Sequence, residues 1–133
     1  MASVPDTLAV SAVICTWNRT ELLRSALESL SKQTLPVNDW ELIAVCNNSP
    51  EETRRAVLEG QSAYGYRLVL IDEFRQGKCS ALNAALAAAR APLIACTDDD
   101  CRPAPDWLER IVTRFAAPEV GLLGGPGVSV FGL

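Results

Sequence analysis

Asp98, Asp99 and Asp100 stand side by side, directly after the apolar run Leu93 to Thr97 and before Cys101-Arg102-Pro103. Three adjacent carboxylates repel one another, so the fold must set a compensating charge against them. A hard divalent cation does this well. Oxygen donors suit Mg²⁺ or Mn²⁺, and one or two carboxylates plus phosphate oxygens of a substrate complete an octahedron. In a loop, Asp98 and Asp100 can point to one side while Asp99 faces away or meets a backbone or ribose group. The plainer alternative is a solvated turn ahead of a helix whose dipole favours acid nearby.

Gln76-Gly77-Lys78 is the second candidate. Glycine lets a backbone approach a ligand closely, and a lysine at a helix start adds a cation to the positive end of the dipole. It is not a Walker A loop, because Asp72 occupies the place of the upstream glycine and Cys79 the place of the Ser or Thr. By itself such a segment is more often a turn with a surface lysine. Gly124-Gly125-Pro126-Gly127 reads as a turn between strands.

Composition narrows the chemistry further. The chain has 133 residues, a formal charge of −4 and no histidine, which excludes a Ser-His-Asp triad, a Cys-His pair and histidine-ligated zinc. Catalysis would have to rest on carboxylates, lysine, cysteine or a bound cation. A mildly acidic chain without a Lys/Arg run has no electrostatic reason to seek nucleic acid. The five cysteines are odd in number and none forms a CxxC pair, so a reducing, cytoplasmic setting is expected rather than a disulfide scaffold. The first residues lack a signal-peptide pattern, and the longest uncharged stretch, Val120 to Leu133, is too short to span a bilayer.

Short apolar runs alternate with helical patterns. Leu8 to Cys15, Glu41 to Cys46, Arg67 to Ile71 and Leu93 to Thr97 read as strands covered on both faces. Leu22, Leu23, Ala26, Leu27 and Leu30 mark an amphipathic helix beginning at Thr20. Ser49-Pro50-Glu51-Glu52 has capping-box spacing and opens a second helix. Ser80 to Arg90 and Pro105 to Phe115 are two more, and Val120 to Leu123 and Gly127 to Phe131 are two further strands. This alternation predicts an α/β fold: a mostly parallel, Rossmann-like sheet with helices on both faces, in one domain over residues 1–133. Right-handed crossovers put every strand-to-helix loop on one edge, where ligands bind near a switch in strand order. Those loops are Thr16 to Arg19, Asn47 to Ser49, Glu73 to Lys78 and Asp98 to Asp100.

Taken together, the segments resemble the family 2 glycosyltransferases of GT-A fold. Val13-Ile14-Cys15-Thr16-Trp17-Asn18-Arg19 is similar to that family's first strand and T-Y-N-R loop, with Trp for Tyr. Leu22 to Leu30 with Gln33-Thr34 resembles its first helix, and Gly77-Lys78-Cys79-Ser80-Ala81-Leu82-Asn83 its G-K-x-x-A-L-N segment. Thr97 to Asp100, Pro103 and Asp106-Trp107-Leu108 resemble the D-x-D region and the P-x-W-L helix after it. The resemblance implies an inverting glycosyltransferase domain that binds a nucleotide-diphosphate sugar. Thr16, Asn18 and Arg19 would line the nucleoside pocket, Lys78 would approach the nucleotide, and Asp98 and Asp99 would sit by ribose or base. Asp100, with Asp98, would hold Mg²⁺ or Mn²⁺ against the two phosphates.

Two departures follow from the same comparison. Where the family has V-D-N-G-S, with an Asp for the base, this chain has Val45-Cys46-Asn47-Asn48-Ser49, so Asn47 or Asn48 would substitute. The family's acceptor-binding half and its catalytic base lie past the last residue here, and Asp106 and Glu109 are poor stand-ins. The chain thus reads as a truncated donor-binding half, its end from Leu122 to Leu133 a strand region prone to self-association. A non-catalytic nucleotide-binding or self-associating module derived from the same fold is the alternative. A phosphotransferase with an aspartyl nucleophile is disfavoured, because Arg102 replaces the Thr of D-x-D-x-T and the strand is the fourth rather than the first.

Overall fold

The computed structural model describes residues 8–116. The expected strands 120–123 and 127–131, and the self-association region, lie outside them. Four strands, β1 (Val10–Thr16), β2 (Trp40–Asn47), β3 (Arg67–Glu73) and β4 (Leu93–Asp98), form one sheet in the order β3-β2-β1-β4. Every pairing is parallel. The helices are α1 (Thr20–Ser31), α2 (Glu51–Tyr64), α3 (Lys78–Ala88) and α4 (Trp107–Arg114), with one 3-10 turn at Val37–Asp39 before β2.

Both faces of the sheet are covered, which explains the near-continuous apolar strands. On one face Val10, Ala12, Ile14, Leu42 and Ala44 pack against Leu23, Ala26, Leu27 and Leu30 of α1, Ala56 and Val57 of α2 and Leu108 of α4. On the other, Val13, Ile43 and Val45 meet Ala81 and Ala85 of α3. The small residues of α3 let it lie close to the sheet. Chain order reverses between β1 and β4, since β2 and β3 lie to one side of β1 and β4 to the other. The crevice at their carboxyl ends is therefore the switch point.

The carboxyl ends of the strands differ from the expected ones in one direction, while β1 begins later, at Val10, and α4 is shorter at both ends, Trp107–Arg114. Each strand runs one or two residues further, to Thr16, Asn47, Glu73 and Asp98. Ladder hydrogen bonds are made by backbone, so polar residues continue a strand past the end of its apolar run. Residues expected on loops thereby sit on the sheet rim. The expected capping box is also not formed: Pro50, not Ser49, is the N-cap of α2. The Ser49 hydroxyl donates instead to the Thr16 carbonyl at 3.0 Å, joining the ends of two neighbouring strands. Helix α3 begins at Lys78, two residues before the expected Ser80.

The opposite rim is fastened by a charge that the apolar pattern concealed. Glu41, on β2, is fully buried. It accepts from the Ser11 hydroxyl at 2.6 Å, the Arg90 N–H at 2.9 Å and the Arg90 guanidinium at 3.1 Å. Burial alone would raise its pKa; these donors outweigh that and hold the carboxyl below its ordinary value. The stabilisation is therefore complete above the unfolded carboxylate value, about 4.3, and disappears as pH falls through the lower native value. Glu41→Gln is expected to lose about 2 kcal/mol at neutral pH. Urea unfolding across acid pH should show its deficit against the parent chain shrinking below about pH 4.

Candidate functional site

At the switch point lies a cavity of about 350 Å³. Strand β1 and its loop contribute Cys15, Thr16, Trp17 and Arg19 to the wall; β2 contributes Asn47; and β4 with its loop contributes Asp98, Asp99 and Asp100. The far side is the β3–α3 connection, with Gln76, Gly77 and Lys78. Four chain segments expected to converge do so around one space.

The three aspartates take different positions. Asp99 is turned inward and only 5% exposed. It accepts a hydrogen bond from the Thr16 hydroxyl at 2.9 Å and lies 3.6 Å from the Arg19 guanidinium. Burial pushes its carboxyl above the usual aspartate range, while Thr16, Arg19 and the Trp17 N–H pull it back. Asp98 and Asp100 face outward, as expected. Asp98 accepts from the Lys78 ammonium at 2.7 Å, and Asp100 from Arg19 at 3.3 Å. The hydrogen bond to Asp98 raises the Lys78 pKa, so this amine is a fixed positive charge.

Carboxylate oxygens of Asp98 and Asp100 and the Cys101 sulfur lie within 4.8 Å of one another. Two hard oxygens on one side of an open rim fit Mg²⁺ or Mn²⁺, with other positions left for phosphate oxygens and water. The thiol is a softer donor than these ions prefer. Burial raises the Cys15 pKa to about 11, so that thiol lies in the wall as a neutral group and not a nucleophile.

Several expected residues have different surroundings from those anticipated. Asn18 is not among the residues that line the cavity; it takes a left-handed conformation, φ 52°, and turns the chain from β1 into α1. Cys46 is buried in the sheet core on the α1/α2 side, so the departure from an acid there does not alter the cavity wall. Its neighbour Asn47 does line the wall. Asn47 is 6% exposed, and its amide is bonded to the loop from Glu73 to Gly77. No spacing rule signals that attachment, because the partners are 26 to 30 residues away. Asp106 and Glu109 are tied elsewhere, to Arg110 at 2.6 Å and Thr34 at 3.0 Å.

A family model for glycosyl transferase family 2 matches residues 11–132. The chain belongs to this family. Glycosyltransferase AglE of Haloferax volcanii is 31% identical over 116 residues, which is 87% of this chain and 38% of that protein. Chondroitin synthase of Escherichia coli is 29% identical over 88% of this chain and 17% of its own length. Among solved structures, the mannosyltransferase PcManGT from Pyrobaculum calidifontis, in complex with GDP-Man and Mn²⁺, superposes with a TM-score of 0.80 at 31% identity. That match covers 86% of this chain and 34% of that one. Staphylococcus aureus TarS 1–349 with UDP-GlcNAc, at 19% identity and TM-score 0.74, shares the fold over 92% of this chain and 37% of its own. The sheet of this family 2 member is thus of GT-A type, and the chain spans well under half the length of each of these relatives.

The Thr16–Asp99 hydrogen bond crosses from β1 to the loop after β4, and replacing its donor leaves a buried carboxylate without it. Thr16→Val should lower the unfolding free energy by about 1–3 kcal/mol, whereas Thr16→Ser should retain most of the parent stability, both read by denaturant titration.

Proposed function

We propose that this chain is the donor-binding part of an inverting glycosyltransferase, holding a nucleotide-diphosphate sugar with Mg²⁺ or Mn²⁺ for transfer of the sugar to an acceptor hydroxyl. The observation that carries the reading is the outward-facing pair Asp98 and Asp100, converging at the rim of a cavity that also holds Lys78 and Arg19. Residues 1–133 act as one nucleotide-sugar-binding unit in this reading. Asp100, with Asp98, holds the cation in the D-x-D manner. Thr16 and Arg19 border the nucleoside, with Asn18 shaping the turn between them and Asp99 fixing both. Lys78 moves from Asp98 to a phosphate oxygen.

The chemistry suits these charges. A departing nucleoside diphosphate gains negative charge as the glycosidic bond breaks, and a divalent cation supplies Lewis-acid stabilisation of it. Lys78 and Arg19 add positive charge at the same rim without having to assemble during the reaction. With the departing group held on this side, the acceptor oxygen attacks the sugar carbon from the opposite face, which inverts its configuration. The ligands named for the relatives above, GDP-Man with Mn²⁺ in one and UDP-GlcNAc in another, support this donor class. Among the described residues no helix is long and apolar enough to cross a membrane.

One observation favours a second reading, binding without turnover. Each of the three cavity aspartates already has a donor or cation partner, and none is placed as a spare general base. Detectable donor turnover by this chain alone would dispose of that reading.

Calorimetry with UDP and with GDP, each with and without Mn²⁺, tests the proposal. Binding of at least one nucleotide should require the metal, and Asp100→Ala should abolish the metal-dependent part. Binding that is the same with and without metal, or no binding to either nucleotide, overturns it.

A further inference from the structure

Asn47 ends β2 with its side chain buried at the cavity wall, yet its polar atoms are turned toward the chain and not into the space. The two amide hydrogens on Nδ2 are given to the carbonyls of Glu73, at 3.1 Å, and Arg75, at 2.7 Å. Oδ1 accepts from the Gly77 N–H at 3.2 Å. One side chain therefore grips the loop between β3 and α3 at three points. The neighbouring Asn48 adds its own N–H to the Glu73 carbonyl at 3.1 Å and its amide to Gln76 at 2.9 Å.

The gripped loop delivers Lys78. Gly77, with φ 113°, turns the backbone through a conformation that other residues rarely adopt, and Lys78 is the first residue of α3. Its ammonium reaches the Asp98 carboxylate at 2.7 Å. Among small side chains only an amide donates twice and accepts once in such a geometry; a carboxylate could take the Gly77 N–H but would face two carbonyl oxygens.

We propose that Asn47 is a positioning residue: it does not read the nucleobase, but fixes the Glu73–Gly77 loop so that Lys78 stands at the diphosphate. This rests on the donor-binding reading above and deepens it, by assigning the effect of Asn47 to the phosphates and not to the base.

The test uses the 133-residue chain with Asn47→Ala, Asn47→Asp, Lys78→Ala and the double variant Asn47→Ala/Lys78→Ala. Hydrogen exchange without ligand comes first. Both Asn47 variants should expose the amides of residues 75–79 to faster exchange while β1 and β2 keep their protection; unchanged exchange at 75–79 overturns the proposal. Calorimetry with UDP, GDP and their parent nucleosides, with Mn²⁺, follows. Asn47→Ala and Asn47→Asp should each weaken diphosphate binding about tenfold, as Lys78→Ala does, with the double variant no weaker than either single one. Nucleoside affinity should stay at the parent value. Weakened nucleoside binding, an Asp variant that binds as the parent does, or additive losses would assign Asn47 to the base and overturn the proposal. Failure of the parent chain to bind any diphosphate would sink the donor-binding reading instead, and the exchange arm would still decide whether Asn47 holds the loop.

Discussion

Three carboxylates at consecutive positions cannot share one loop unless something separates or neutralises them, and the arrangement of this molecule follows from how that is done. Asp99 is drawn inward to the Thr16 hydroxyl and the Trp17 N–H. Asp98 and Asp100 are left outside with Lys78 and Arg19 set against them. Exposed ion pairs of this kind add little to stability. In the donor-binding reading proposed above, their importance is that a rim carrying both signs can exchange partners when an anionic group and a cation arrive together.

What lies beneath is rigid for a plain reason. The strands are parallel, covered on both faces, and continue through Thr16, Asn47 and Asp98 at the cavity, so these three residues are held by backbone ladders. The two rims are fastened differently. At the amino-terminal rim a single buried acid, Glu41, gathers Ser11 and the α3–β4 connection; at the carboxyl rim Ser49, Asn47 and Asp99 each tie one connection to a neighbouring strand. Buried polar groups with all their bonds made specify one arrangement of a loop, because any other leaves a donor or acceptor dry.

This division also explains what could be read from the sequence. The order of elements and the convergence of Thr16, Arg19, Lys78 and the aspartates were legible, since apolar runs mark covered parallel strands and topology alone brings their carboxyl ends together. Strand ends were not, because Thr16, Asn47 and Asp98 are polar by side chain but ladder-forming by backbone. The family resemblance drew attention to Cys46 as a changed base contact, whereas strand alternation turns it to the opposite side of the sheet and brings Asn47 to the cavity. The clamp made by Asn47 and the bolt made by Glu41 depend on partners 26 to 49 residues away. No local pattern encodes such a distance.

The cation beside Asp98 has one further consequence. The chain carries only two lysines, Lys32 and Lys78, its other basic side chains being arginines. Lys32 lies just past the end of α1, in an exposed pair with Glu28. Any acylating reagent or surface coupling directed at primary amines thus has, besides the N-terminus, one harmless target and one that erases a counter-charge from the acidic rim. Attachment through a cysteine carries a related hazard at Cys79 and Cys101, which flank that rim, so a tether for handling the protein is better engineered on the outer side of α2.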